Sequence, residues 1–290
     1  MCHPCPASGY RSRLALQLIY DARMNLPQLI DPVVSLAAEA GKAILEVYAT
    51  DFDVQAKDDQ SPLTQADLAS QRVIMQGLAE LTPDIPVISE EAGLPDFNER
   101  GQWNPYWLID PLDGTKEFVK RNGEFTVNIA LIEDHQAVFG VVHVPVRNST
   151  YSGCRGVGAE LRTNGEEPRP IGVARESATP VRVVGSRSHR GASLDQFLQN
   201  LGEFEMHATG SSLKFCLIAE GAADVYPRLG LTSEWDTAAA QAVVEQAGGV
   251  VLELDGNPLS YNNKSDILNP HFLVAGPMDH DWLKIIGNYD

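Results

Sequence analysis

Asp110 and Asp113 stand on either side of Pro111-Leu112 at the end of an apolar run, Tyr106-Trp107-Leu108-Ile109, and Gly114 closes the turn behind them. Asp, Pro and Gly each favour turns for independent reasons, so this stretch alone reads equally well as a tight turn. A second apolar run, Val87-Ile88, leads through Ser89 into Glu90 and Glu91, and a third acid, Asp236, stands just before the helix-forming Thr237-Ala238-Ala239. Carboxylates brought together from strand ends and a helix start are what a hard dication such as Mg²⁺ requires, with water and an anionic ligand completing its octahedron. A solvated acidic face has no need to place its acids at strand ends.

Gly114-Thr115 opens Lys116-Glu117-Phe118-Val119-Lys120, which reads as a helix start. Free backbone N–H groups at such a start attract an anion, and glycine lets a phosphate come close. Metal and phosphate would then be neighbours.

The elements that must position these residues are legible in the pattern. Apolar and small residues recur at helical spacing from Val34 to Tyr48, and a second helix is expected from Thr64 to Leu81, with Leu68, Ile74, Leu78 and Leu81 inside and Pro83 and Pro86 beyond its end. Phe125 to Ile132 and Ala137 to Val146 read as an antiparallel hairpin around Glu133-Asp134-His135-Gln136, and the glycine-punctuated stretch Tyr151 to Leu161 continues the meander. After Pro180 the texture alternates: strand Val181 to Val184, helices Ser193 to Leu201 and Leu213 to Glu220, strand Ala223 to Tyr226, helix Thr237 to Ala247, strand Val250 to Leu254. Strands first and alternation later point to layered α/β packing rather than one doubly wound sheet.

The bulk numbers narrow the field. With 290 residues, 43% hydrophobic and 21% charged, the chain has an ordinary globular composition, and no apolar run approaches the length of a membrane-spanning helix. A net charge of −17 argues against a nucleic-acid polymer as partner, because such proteins carry a basic footprint. Cys2 and Cys5 look like half of a zinc or redox site, yet no second half follows, and Cys154 and Cys216 are far away. Unpaired cysteines fit a reducing, cytoplasmic setting. Residues 1–23 are expected to be a weakly structured extension, with the natural beginning near Met24, followed by an α+β part over 24–175 that carries most metal ligands and an α/β part over 176–290 that carries Asp236.

The set Trp107-Leu108-Ile109-Asp110-Pro111-Leu112-Asp113-Gly114-Thr115, with Ser89-Glu90-Glu91 before it and Trp235-Asp236-Thr237-Ala238-Ala239 after it, resembles the inositol monophosphatase superfamily. Three motifs in order are far more specific than any one, and the likeness runs from about Leu29 to His271. Finer details resemble the 3'(2'),5'-bisphosphate nucleotidases of that superfamily: Ser61-Pro62-Leu63-Thr64-Gln65-Ala66-Asp67, Lys116-Glu117 where inositol-specific members typically have Thr-Asn, Lys120 through Asn128, and Gly210-Ser211-Ser212-Leu213-Lys214-Phe215.

The resemblance implies a layered αβαβα sandwich and a Mg²⁺-dependent phosphoric monoester hydrolase with two or three ions. It implies that Glu90, Asp110, the carbonyl of Leu112, Asp113 and Asp236 hold the metals, that Asp67 and Thr115 polarise the attacking water, and that Glu91 assists through a further water. Substrate contacts implied by position are Glu90, Leu112, Asp113, Gly114, Thr115 and Asp236 at the reacting phosphate, and His189, Ser211, Lys214 and Arg228 toward the rest of a nucleotide. Lys116, Lys120 and Arg121 are candidates for long-range attraction of the anion. The implied substrate is adenosine 3',5'-bisphosphate, cleaved to AMP and phosphate in connection with sulfate assimilation, and lithium sensitivity is implied with it. An inositol monophosphatase or other sugar-phosphate phosphatase of the same superfamily is the alternative. A homodimer and peripheral attachment at the cytoplasmic face of the inner membrane stay open.

Overall fold

Helix α1 (Leu26–Tyr48) has Pro27 in its first turn, where the missing N–H of proline has no partner to lose. It begins earlier than the spacing from Val34 predicts, because Leu26, Leu29 and Ile30 also pack on the core. In the computed structural model the described residues are 25–52, 54–56, 62–185 and 192–287. The expectations for the extension 1–23, for Cys2 and Cys5 and for His189 lie outside them.

A short antiparallel hairpin, β1 (Val54–Ala56) and β2 (Pro62–Thr64), leads into α2 (Gln65–Leu81). Thr64 caps this helix: its hydroxyl accepts the Ala66 N–H at 3.1 Å, and Asp67 Oδ2 accepts the Thr64 N–H at 2.8 Å in return. The inner face differs from the one expected. Ile74 and Leu78 are buried, but Leu68 and Leu81 are 36% and 39% exposed, and Ala66, Asp67 and Ser70 point inward instead. Apolar periodicity misplaced that face because two of its buried residues are polar and bonded.

The first sheet follows the chain in order: β3 (Val87–Ser89), then, after the short helix α3 (Phe97–Arg100), β4 (Tyr106–Asp113), then, after α4 (Thr115–Val119), β5 (Thr126–Glu133), β6 (Gln136–Val144), β7 (Ser149–Cys154), β8 (Gly158–Thr163) and β9 (Arg169–Ile171). β3 and β4 run parallel and every later pair is antiparallel. The β4–β5 register breaks between Asp110 and Asp113, so the acidic turn leaves the ladder at that point.

The second half contributes β10 (Val181–Gly185), α5 (Ala192–Leu201), β11 (Phe204–Ala208), α6 (Leu213–Ala219), β12 (Val225–Arg228), α7 (Ala238–Gln246), β13 (Val250–Glu253), β14 (Phe272–Ala275) and α8 (Trp282–Ile286). Its sheet has the order β11-β10-β12-β14-β13. Sequence pattern did not reveal β9, β11, β14 or α8. All four have only three to five residues, too few to display a period.

Helices α1 and α2 cover one face of the first sheet, where Trp107, Ile129 and Phe139 join their core. Helices α6 and α7 fill the space between the sheets, and α5 and α8 cover the far face of the second, over Val183, Val225 and Leu273. The layers therefore run αβαβα. The middle layer is unusually close: a Cβ on Gly140 of β6 would come within 2.2 Å of the Ala239 carbonyl oxygen, and one on Gly153 of β7 within 2.5 Å of the Ala242 oxygen. Glycines on the sheet and alanines on α7 let backbone meet backbone, and that contact sets the start of α7 against the end of β4. Among the described residues no helix is long and apolar enough to cross a membrane.

Candidate active site

The carboxylates of Asp110, Asp113 and Asp236 each place an oxygen within 4.8 Å of the other two. Each is held by local geometry. Asp110 Oδ1 accepts the Leu112 N–H at 3.0 Å across Pro111, and the Pro111 carbonyl accepts the Ser70 hydroxyl at 2.6 Å, which pins the turn to α2. Asp236 Oδ2 accepts the Ser233 N–H at 2.9 Å at the end of a single 3₁₀ turn, Glu234–Asp236. Glu90 begins another 3₁₀ turn at the end of β3, after Ser89, whose hydroxyl bonds Gln71 Oε1 of α2.

These acids repel one another in a buried place. Burial, then the charges of Glu90, Asp113 and Asp236, holds the Asp110 carboxyl well above its ordinary value. Burial followed by Asp113 and Glu90 does the same to Asp236. Among the described residues no lysine or arginine forms an ion pair with Asp110, Asp113 or Asp236. Hard oxygen donors that converge, are dehydrated and lack a cation fit a dication, and Mg²⁺ suits the donor chemistry. The Leu112 carbonyl, the fifth ligand the resemblance implies, lies 3.5 Å from the Thr115 hydroxyl.

Thr115 is the first residue of α4, behind Gly114 at φ +92. A Cβ at Gly114 would also stand 3.1 Å from the Glu124 carbonyl oxygen and 3.2 Å from Ser211 Cβ, so glycine is required twice over, for conformation and for space. The Thr115 hydroxyl lies 3.4 Å from Asp67 Oδ1, the oxygen not used to cap α2. Glu91 is half-buried beside Glu90.

On the other side of the carboxylates a pocket is lined by Gly114, Lys116, Lys120, Ser211, Lys214 and Arg228 together with Asp113 and Asp236. Lys214 is not surface charge: it is 8% exposed, its ammonium donates to the Ser211 carbonyl at 2.6 Å, and it sits 5.6 Å from the centre of the Tyr226 ring. Burial pushes its ammonium down to about 8, partly offset by Asp113 and assisted by Arg228. Arg228 donates through Nη2 to the Leu231 carbonyl at 2.6 Å, and its Nε is buried without a partner. A second chamber adjoins, lined by Lys116, Leu194, Tyr226, Arg228 and Leu231.

Arg121 does not face this pocket. Its guanidinium lies over Tyr48 and Phe52 and donates to the carbonyls of Tyr48 and Thr50, so its place is the joint between α4 and the end of α1. Two residues that sequence reading passed over belong to the site. Ser212 and Asn128 lie beside Asp113, with the Ser212 hydroxyl 2.7 Å from Asp113 Oδ2 and 2.8 Å from Asn128 Nδ2. Both occur inside the quoted motifs, but a serine and an asparagine carry no sequence mark that separates holding a ligand from being one.

The five layers, the strand-end carboxylates and the matched profile together define the class: the chain belongs to the inositol monophosphatase family, whose profile matches residues 25–281. It is 49% identical over 249 residues to the 3'(2'),5'-bisphosphate nucleotidase CysQ of Escherichia coli K12, an alignment that covers 85% of this chain and 99% of that one. It is 37% identical to the CysQ nucleotidase of Aggregatibacter actinomycetemcomitans, over 89% of this chain and 96% of that one. The crystal structure of CysQ from Bacteroides thetaiotaomicron superposes with a TM-score of 0.74 at 38% identity, covering 86% of this chain and 98% of that one. A Thermotoga maritima inositol monophosphatase shares the fold at a TM-score of 0.71 and 23% identity, over 89% and 96% of the two chains.

Proposed function

We propose that this chain is a Mg²⁺-dependent 3'(2'),5'-bisphosphate nucleotidase that converts adenosine 3',5'-bisphosphate to AMP and phosphate, a reaction linked to sulfate assimilation. The observation that carries the reading is a single pocket lined both by Asp113 and Asp236 and by Lys214 and Arg228. Such a pocket offers a metal end for the reacting phosphate and a cationic end for a second anion. The nucleotidase relatives support the same substrate class.

Glu90, Asp110, Asp113, Asp236 and the Leu112 carbonyl would hold the ions. Bound Mg²⁺ supplies Lewis acidity and neutralises charge on the phosphoryl oxygens. The rest falls to the chain. Asp67, fixed by its bonds to Thr64, accepts from the Thr115 hydroxyl, which is thereby oriented to hold a water in line with the phosphorus. Asp67 takes up proton density through Thr115 as that water attacks. Gly114 leaves room for the phosphate oxygens, and Ser211, Lys214 and Arg228 bind the non-reacting portion. Li⁺ inhibition follows from the same cage, because Li⁺ is close to Mg²⁺ in size with half its charge. The buried free thiols of Cys154 and Cys216 accord with a reducing cytoplasm.

An inositol monophosphatase is the alternative, but a substrate with one phosphate gives Lys214 and Arg228 nothing to bind. Phosphate release measured with adenosine 3',5'-bisphosphate, its phosphosulfate precursor, inositol monophosphate and fructose bisphosphate tests the reading. The nucleotide bisphosphate should have the largest kcat/KM; a preference for inositol monophosphate would overturn it.

A further inference from the structure

Among the described residues, every donor that reaches Asp113 arrives on one oxygen. The Ser212 N–H is 2.6 Å and the Ser212 hydroxyl 2.7 Å from Oδ2, with the Thr126 hydroxyl and Asn128 Nδ2 each 3.5 Å away. Among the described residues no donor reaches Oδ1. A carboxylate oxygen has two lone-pair sites, and Ser212 uses both on Oδ2. Only Oδ1 is left for a dication.

Ser212 is itself held. It is 1% exposed, Asn128 Nδ2 donates to its oxygen at 2.8 Å, and the same oxygen lies 2.8 Å from the backbone carbonyl of Asp236. With a lone pair occupied by Asn128, its one proton has two acceptors, and the charged carboxylate is the stronger. Ser212 also precedes α6, the helix that carries Lys214. One buried serine therefore touches a ligand from the first sheet, the main chain of a ligand at the start of α7, and the first turn of the helix that bears the substrate lysine.

We propose that Ser212 is a positioning residue that makes Asp113 a one-oxygen metal ligand and fixes its direction relative to Asp236. This rests on the metal reading given above. Outer partners of this kind set ligand orientation, and their loss typically weakens metal binding about 10- to 100-fold. The backbone N–H of residue 212 survives substitution, so removing the hydroxyl leaves Asp113 with one donor and freedom to rotate.

The test is direct metal uptake without substrate, followed by electron paramagnetic resonance of Mn²⁺ titrated into metal-free protein, for the parent chain, S212A, S212G and S212T. The parent should bind Mn²⁺. S212A and S212G should bind it about 10- to 100-fold more weakly while their metal-free melting temperatures stay within a few degrees of the parent, and S212T, which keeps the hydroxyl, should stay within about threefold. Unchanged affinity in S212A or S212G overturns the proposal, as does an equal loss in S212T, which would assign the effect to packing. If S212A is unfolded, S212G gives the answer on the same terms. A parent chain that takes up no Mn²⁺ overturns the metal reading and this proposal together, whereas a binding parent matched by its hydroxyl-free variants overturns this proposal alone.

Discussion

The side chain of Asp67 faces two ways: Oδ2 caps α2 through the Thr64 N–H and hydroxyl, at 2.8 and 2.7 Å, and Oδ1 stands 3.4 Å from the Thr115 hydroxyl. A fully buried carboxylate is thereby shared between the start of a helix and the site. Thr115→Val, nearly isosteric, should lower kcat about 10²- to 10⁴-fold with little change in stability. Asp67→Ala should lose a comparable rate and, in addition, about 0.5–2 kcal/mol of stability with the cap. Denaturant unfolding and kcat measured on both variants check this; a parental kcat in Thr115→Val would separate Thr115 from the chemistry, and equal stability losses would refute the cap as the source of the difference.

Asp113→Asn should abolish turnover, by about 10³-fold or more, because an amide is a poorer Mg²⁺ ligand and lacks the charge. Melting in a chelator should show the metal-free variant at or above the parent, since one repelling charge has left Asp110 and Asp236. Wild-type rates at saturating Mg²⁺ would refute the ligand assignment.

Lys214→Ala and Arg228→Ala should impair adenosine 3',5'-bisphosphate much more than a mononucleotide or sugar monophosphate. A hydrogen bond to a charged group contributes about 1.5–3 kcal/mol, so the expected loss in kcat/KM is roughly 10- to 150-fold. Specificity constants on both substrate types decide it, because equal losses on all substrates would mean that these cations support the fold.

Gly140→Ala should destabilise the chain by about 1–3 kcal/mol and weaken Mg²⁺ activation at the same time. The added methyl would press on the Ala239 carbonyl of α7, three residues after Asp236. Thermal melts and Mg²⁺ dependence are the readouts, and a fully stable G140A would show that the layers can part at no cost.

Stability should fall as acid approaches the buried His143, which burial, then the nearby Lys42 charge, pushes down from 6.5 to about 4. Between those values the unfolded chain binds a proton that the folded chain refuses. The stabilisation is therefore complete above pH 6.5 and is lost as pH falls toward 4, by roughly 3 kcal/mol at most. Urea unfolding across this window should slope less steeply in His143→Gln; identical slopes would clear the histidine of any part.

The chemistry was legible in the sequence because it rests on local pattern. Asp110-Pro111-Leu112-Asp113-Gly114 forms its own Asx turn through the Leu112 N–H, and Gly114 is fixed by a backbone conformation that other residues avoid. The β5–β6 hairpin was readable for the same reason, with Asp134 and His135 carrying the turn at positive φ. What the sequence by itself determined was thus the candidate ligands, the period of the long elements and the family they belong to. The tertiary structure alone decided which face of α2 turns inward, because Asp67 and Ser70 are buried by partners more than forty residues away. It decided that Lys214 is buried rather than solvated, and that Ser212 meets Asp113 across 99 residues of chain. These facts depend on contacts between elements distant in sequence, set by the close approach of α7 to Gly140 and Gly153, and no local spacing encodes them.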